Sequence, residues 1–249
     1  MIKRTDDIQY LRFDFLDQRF KKPLEIFKHV TSIITSDLRE SQSGVNILDV
    51  GCGTGEFIYY VKNTHPNIEC EGLEYLPELC CKANEILGDC VKQGSVLHES
   101  SVEKERFEYI TFLNTHMIFD DLKPVLRNLV LWTKPGGKII IAGPFNPDPV
   151  DVWVRYKKSK SKENSLQHGW NIISQETVGN LLTEILGEET FEFHDYQIPV
   201  DISRDPTDCM RQRTLKDEDG NRWLTNGLSQ LVQMKILEIN KPYVKNLNP

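Results

Sequence analysis

Short apolar runs alternate along the chain with stripes of apolar residues spaced three and four apart, and this alternation predicts the architecture. Pro23 heads a helical segment whose Phe27, Val30 and Ile34 share a face. A polar stretch from Arg39 ends at Gly44, and Val45-Asn46-Ile47-Leu48-Asp49-Val50 reads as a buried strand. A helix over Glu56–Lys62 and a strand over Ile68–Leu73 follow. Pro77 then opens a helix with Leu79, Ala83, Ile86 and Leu87 on one side and Gly88 past its end. Tyr109–Leu113 is a strand, and Leu122, Val125, Leu126 and Leu129 form the next helical stripe. Lys134-Pro135-Gly136-Gly137 predicts a turn that stops that helix before the strand Lys138–Ala142. Strands separated by helices of this length predict a parallel sheet covered on both faces, because parallel neighbours need crossover connections.

The last third changes character. From Pro144 to about Gln175 the chain carries Pro, Trp, Lys and Ser without clear periodicity. A helix follows, with Ser174 as N-cap, the stripe Val178, Leu181, Leu182 and Ile185, and Gly187 as its stop. Phe191–Tyr196 reads as a strand, Asp219-Gly220 as the tip of a hairpin, and Leu231–Leu237 as a final strand. An irregular insertion after a regular core is where substrate-specific walls are expected.

Composition narrows the function classes. The 249 residues are 39% hydrophobic and 27% charged, enough to bury a large core. No apolar run approaches the roughly 18 to 20 residues that span a bilayer, and the first residues lack a secretory signal's apolar stretch. A formal charge of −7 argues against general nucleic-acid binding. Six cysteines are too sparse for a disulfide scaffold, and none forms a C-x-x-C pair, which argues against structural zinc. The expectation is a soluble protein of the reduced cytoplasm, with no membrane, nucleic-acid or metal partner.

Asp49-Val50-Gly51-Cys52-Gly53-Thr54-Gly55 joins the first core strand to its helix, and its glycines let backbone approach a ligand where a β-carbon would collide. Two readings compete. In a dinucleotide fingerprint, G-x-G-x-x-G, the third glycine would fall where Glu56 stands, a poor neighbour for a pyrophosphate at a helix N-terminus. Asp49 at the strand end likewise disfavours a dianion. It suits a ligand bearing positive charge, such as the ammonium and sulfonium of S-adenosylmethionine.

At these residues the chain resembles the class I S-adenosylmethionine-dependent methyltransferases. The matching pieces are Ile47 to Gly55, the acidic strand end Leu73-Glu74 and the late turn Lys134-Pro135-Gly136-Gly137, within about residues 45–145. The resemblance implies a Rossmann-like α/β fold with a seven-stranded, mostly parallel sheet, helices on both faces and the last strand antiparallel. It implies that Asp49 and the loop of Gly51, Cys52, Gly53 and Gly55 hold the methionine moiety. Glu74 would accept from both ribose hydroxyls, each charge-assisted bond contributing roughly 1.5 to 3 kcal/mol, and Tyr75 would wall the adenine. The third strand end, Val91 to Val96, departs from the family in having no acidic residue for the adenine amine, so Ser95 or a backbone carbonyl there must serve, with Val96 beside it. Asn114, ending the fourth strand, would line the methionine or the acceptor.

Methyl transfer is an in-line displacement in which the protein mainly aligns the partners, and only a weakly acidic acceptor such as a sugar hydroxyl needs a base. His116, at the sheet's carboxyl edge, is the first base candidate, against a packing or helix-cap role; His168, in the insertion, is the second. Trp153 and Trp170 are candidates for stacking on an acceptor. Five basic residues within Trp153–Glu163, joined by Arg211 and Arg213, read either as a solvated loop or as a lid for an anionic acceptor.

The expected organisation is a single methyltransferase domain over 1–249, comprising a helical cap (1–43), a cofactor core (44–143), an insertion over the acceptor site (144–175) and a C-terminal helix and strands (176–249). The expected reaction methylates a small polar metabolite, with an oxygen of a carbohydrate or a phosphorylated or nucleotide-linked compound as acceptor. The alternatives are N-methylation of a small amine, a non-catalytic S-adenosylmethionine-binding protein and, more distantly, a dinucleotide oxidoreductase.

Overall fold

The computed structural model describes residue 11 and residues 18–38, 44–159, 165–187 and 190–243. In chain order the elements are α1 (Glu25–Asp37), β1 (Val45–Val50), α2 (Glu56–Thr64), β2 (Ile68–Glu74), α3 (Pro77–Leu87), β3 (Val91–Gln93), β4 (Phe107–Leu113), α4 (Lys123–Trp132) and β5 (Thr133–Pro144). Then come β6 (Arg155–Tyr156), β7 (Gln167–His168), α5 (Gln175–Leu186), β8 (Phe191–Tyr196), β9 (Arg213–Lys216), β10 (Arg222–Thr225) and β11 (Met234–Asn240).

Seven strands form one sheet in the order β3-β2-β1-β4-β5-β11-β8. Neighbours from β3 to β5 pair parallel, while β11, the last strand in sequence, runs antiparallel between β5 and β8. The fold class predicted above is therefore the one observed. After β1 the chain builds outward through β2 and β3, then returns to place β4 on the other side of β1. That reversal opens a crevice at the carboxyl ends of β1 and β4, the position where open parallel sheets bind ligands.

Successive residues of each central strand point to opposite faces. Leu48, Ile110 and Ile139 join a core beneath α4 and α5. Ile47, Tyr109 and Ile140 join a second core beneath α1, α2 and α3. Two-sided burial explains why β1, β4 and β5 read as nearly continuous apolar runs. The caps follow the sequence signals: Thr177 N–H donates to Ser174 Oγ (3.0 Å) at the start of α5, and Gly187, at φ 77°, closes its end.

Three segments differ from the pattern reading. The turn at 134–137 lies inside one long strand, β5, where the four residues between Thr133 and Lys138 stand opposite the single residue between Phe107 and Tyr109 of β4. Gly136, at φ 76°, makes that bulge possible. The final strand starts at Met234, three residues later than the apolar run beginning at Leu231, whose side chain is exposed. The irregular segment contains the antiparallel pair β6–β7. The hairpin formed by β9 and β10 has Gly220 at its tip in the left-handed region (φ 84°).

Ile110 is fully buried at the middle of the sheet. Ile110→Ala is expected to cost about 2–5 kcal/mol of unfolding free energy, measured by chemical denaturation. A loss below about 1 kcal/mol would contradict the packing described.

Candidate functional site

A cleft of about 1700 Å³ opens over the carboxyl ends of β1, β2 and β4. Its floor is the β1–α2 loop. Gly51, Gly53 and Gly55 all have positive φ (67°, 59° and 84°), which folds the chain back on itself above the strand end. Gly51 N–H donates to Leu73 O (2.7 Å), tying the loop to β2. The three glycines answer different needs. A β-carbon at Gly51 would meet Thr115 at 2.8 Å, and one at Gly55 would collide with Leu87 of α3. One at Gly53 would meet nothing nearer than Glu56 Oε2 at 3.9 Å, so it would project into open cleft. Gly53 therefore presents bare backbone to whatever the cleft holds.

Three carboxylates gather around this loop. Glu74, buried at the end of β2, accepts from Gly53 N–H through Oε2 (2.9 Å) and from Leu76 N–H through Oε1 (2.8 Å), which fixes its plane. The register pairs Asp49 with Thr111 of β4, whose hydroxyl donates to Asp49 Oδ1 (2.8 Å). Asp49 is only 3% exposed. Burial pushes its pKa up to about 7; the Thr111 hydrogen bond opposes the shift, and the nearby Glu56 and Glu74 reinforce it. Glu56, first residue of α2, is buried with Oε1 accepting no hydrogen bond, and Arg19 Nη1 lies 3.8 Å from that oxygen. A pocket of this sign favours a cation.

Asn114 ends β4 in the left-handed region (φ 53°), a conformation asparagine tolerates better than most residues, and its buried Oδ1 has no hydrogen-bond partner. Ser95 and Val96 line the far side of the cleft. The Ser95 hydroxyl accepts from Leu97 N–H (3.2 Å), and Val96 O accepts from Asn128 Nδ2 (2.7 Å). Tyr75 stands exposed on the rim. Cys52 is buried on the loop, and burial pushes its thiol pKa well up. Of the ten residues expected to contact a cofactor, all but Gly55 line the cleft; Gly55 instead seats the loop against α3.

The two expected proton acceptors are elsewhere. His116 is 1% exposed and does not line the cleft. Its ring stacks on Phe145 (4.3 Å, 7°), and Nε2–H donates to Pro144 O (3.0 Å). Because a carbonyl only accepts, the proton sits on Nε2, and burial lowers the pKa to about 4 against that bond's opposing effect. The packing role, open in the sequence, is the one this placement supports. His168, in β7, also lies off the cleft wall, with Nδ1 3.8 Å from Asp120 Oδ2.

Within the basic segment, Arg155 has a partner on the protein itself. Arg155 grips Asp120 through Nη2 (2.8 and 2.7 Å), and Asn171 donates to the same carboxylate (2.9 Å). Burial raises the Asp120 pKa, but these hydrogen bonds outweigh it and hold the carboxyl below its usual range. Neither Arg155, Lys157 nor Lys158 lines the cleft; Lys160 and Lys162 lie outside the described residues. Among the described residues, the cations that do line it are Arg19, Lys21, Lys22 and Arg211. Arg213 and Trp153 do not, whereas Trp170 does. Residues the sequence reading missed include Glu56, Arg19, Tyr196 and the apolar group Ile198, Met210, Leu224 and Met234. For Glu56 a signal was present, an acidic residue directly after the last glycine of the loop.

Comparison with known proteins agrees with this geometry. A profile of the methyltransferase domain matches residues 16–185. A malonyl-[acyl-carrier protein] O-methyltransferase of Ilyobacter polytropus is 24% identical over 162 residues, 64% of this chain and 61% of that protein. A phosphoethanolamine N-methyltransferase of Triticum aestivum is 24% identical over 201 residues, 75% of this chain and 35% of that protein. The chain thus spans less than two thirds of either relative. Among solved structures, a Haemonchus contortus phosphoethanolamine N-methyltransferase 2 in complex with S-adenosyl-L-methionine superposes with TM-score 0.59 at 13% identity, over 95% of this chain and 60% of that one. A Methanosarcina mazei S-adenosylmethionine-dependent methyltransferase gives 0.53 at 15%, over 84% and 97%.

The two buried titrating groups oppose each other in acid. Asp49 binds its proton more tightly folded than unfolded, so its contribution is complete below about pH 4 and lost as pH rises through about 7. His116 binds its proton less tightly folded, so its contribution is complete above about pH 6.5 and lost as pH falls through about 4. In denaturation at pH 5 and pH 7, Asp49→Asn is expected to gain stability over the parent at the higher pH. An unchanged difference between the two pH values would contradict the burial of Asp49.

Proposed function

The chain belongs to the methyltransferase-domain family, whose cofactor is S-adenosylmethionine, and we propose that it transfers the methyl group of that cofactor to an oxygen of a small-molecule acceptor. The observation that carries this reading is the Glu74 carboxylate, buried at the β2 end, held through both oxygens by backbone N–H groups and facing the cleft beside bare Gly53 backbone. A carboxylate so oriented in the cleft suits the vicinal hydroxyls of a ribose. Asp49 and Glu56 offer negative charge to the ammonium and sulfonium, and the unpartnered Asn114 Oδ1 offers an acceptor to the ammonium. Ser95, Val96 and Tyr75 wall the base. Cys52 is a small side chain that fills space under the loop, with its raised thiol pKa keeping it neutral.

When bound, S-adenosylmethionine supplies an electrophilic methyl group, so the protein's task is alignment and the exclusion of water. Among the described residues that line the cleft there is no histidine, and Asp120 is committed to Arg155 and Asn171. This favours an acceptor already anionic near neutral pH, such as a carboxylate, over a sugar hydroxyl that must lose a proton first. The relative described as an O-methyltransferase of a malonyl group supports the same choice. A second reading, N-methylation, is favoured by the acidic Asp120 and Asp121 at the cleft and by the phosphoethanolamine N-methyltransferase relatives. The insertion is read as part of the acceptor-side cover through Trp170. No helix among the described residues is long and apolar enough to cross a membrane. The six cysteines are free, and we place the protein in the reduced cytoplasm.

Calorimetry with S-adenosylhomocysteine tests the cofactor assignment. Glu74→Ala is expected to weaken binding by at least about tenfold to a hundredfold, the value of one charge-assisted hydrogen bond, with the melting temperature checking the fold. Undiminished binding in that variant would remove the assignment. A panel of carboxylates, amines and sugars incubated with labelled cofactor separates the two acceptor readings: label on the carboxylates alone supports the first, label on the amines alone the second.

A further inference from the structure

The cleft is larger than one nucleoside cofactor requires. Sites that enclose a drug-sized ligand measure roughly 300–1,000 Å³, and this one measures about 1700 Å³. Its character changes along its length. The loop end is ringed by carboxylates and bare backbone, as described above. The opposite end is walled by Ile198 after β8, Met210 before β9, Leu224 of the hairpin and Met234 at the start of β11, which are buried yet line the cleft. Ile198, Leu224 and Met234 pack into one apolar cluster with Tyr196 and Ile202 beside it. Val200, 44% exposed, and Ile202 continue the apolar wall towards the rim. At that rim Arg211 pairs with Asp205 (3.0 Å).

We propose that this end of the cleft takes an elongated amphipathic carboxylate, with an aliphatic body along Ile198, Met210, Leu224 and Met234 and its carboxylate directed towards the methyl group of the bound cofactor. The inference rests on the methyl-transfer reading for its orientation and on the apolar wall for its chemistry. A polyhydroxylated or phosphorylated acceptor would lose water against side chains that return no hydrogen bonds. An aliphatic chain gains by leaving water there. Two of the four wall residues are methionines, whose unbranched, polarizable side chains adapt to chains of different length and shape.

Titration calorimetry on the full chain, with and without saturating S-adenosylhomocysteine, tests the idea with hexanoate, octanoate, decanoate, dodecanoate and glucose 6-phosphate as probes. Each added methylene is expected to lower Kd about threefold to fourfold until the wall is filled, and glucose 6-phosphate is expected to give no heat. Val200→Asp and Ile202→Asp, at the rim, are expected to flatten the series while the melting temperature and S-adenosylhomocysteine binding hold. Affinity independent of chain length, a series undisturbed by both variants, or preferential uptake of glucose 6-phosphate would each overturn the proposal. If S-adenosylhomocysteine itself fails to bind, the methyl-transfer reading falls, and the chain-length series measured without it still decides what the wall accepts.

Discussion

A carboxylate buried at the end of the central strand is an unfavourable arrangement, and the rest of the site is organised around it. Asp49 loses hydration in a location that also holds Glu56 and Glu74, and one hydroxyl, from Thr111, compensates only part of the loss. A core aimed at stability alone would place an apolar residue there. The arrangement makes physical sense when a cation completes it, because burial is the main cause of the raised Asp49 pKa and a sulfonium or an ammonium beside the carboxylate would offset it. Strain at Asn114 and three consecutive left-handed glycines belong to the same pattern, in which a site departs from local preferences where it must meet a ligand.

The sheet topology makes this concentration possible. Strand order reverses at β1, so β2 and β4 flank the same strand end and deliver Glu74 and Asn114 to opposite sides of the loop. The register does the finer work, setting Asp49 level with Gly72 on one side and Thr111 on the other. Gly72 matters because a β-carbon there would meet Cys52 Sγ at 2.6 Å, which would press on the loop from below. Packing of the two cores thus reaches the site through specific neighbours.

Much of this was legible in the sequence because it rests on local chemistry. Alternating apolar runs gave the strands, Pro77 and Gly187 bounded helices, Ser174 capped one, and the spacing of Gly51, Gly53 and Gly55 marked a backbone bend. What was not legible depends on where side chains turn in space. Nothing near His116 in sequence reveals that its ring packs over Gly143 and Phe145, away from the cleft. The partner of Arg155 was not legible either, because Asp120 lies 35 positions earlier and is reached only in the folded chain. The apolar wall escaped notice for the same reason: Ile198, Met210, Leu224 and Met234 come from four separate stretches that share no periodicity.

The central claim is that Asp49 ionises in favour of a cationic nucleoside, and proton linkage tests it most directly. S-adenosylmethionine binding can be measured calorimetrically near pH 7 in buffers of different ionisation enthalpy, for the parent and for Asp49→Asn. The account predicts that binding releases a fraction of a proton in the parent and none in the variant. Binding without proton release in the parent, or no binding at all, would contradict it.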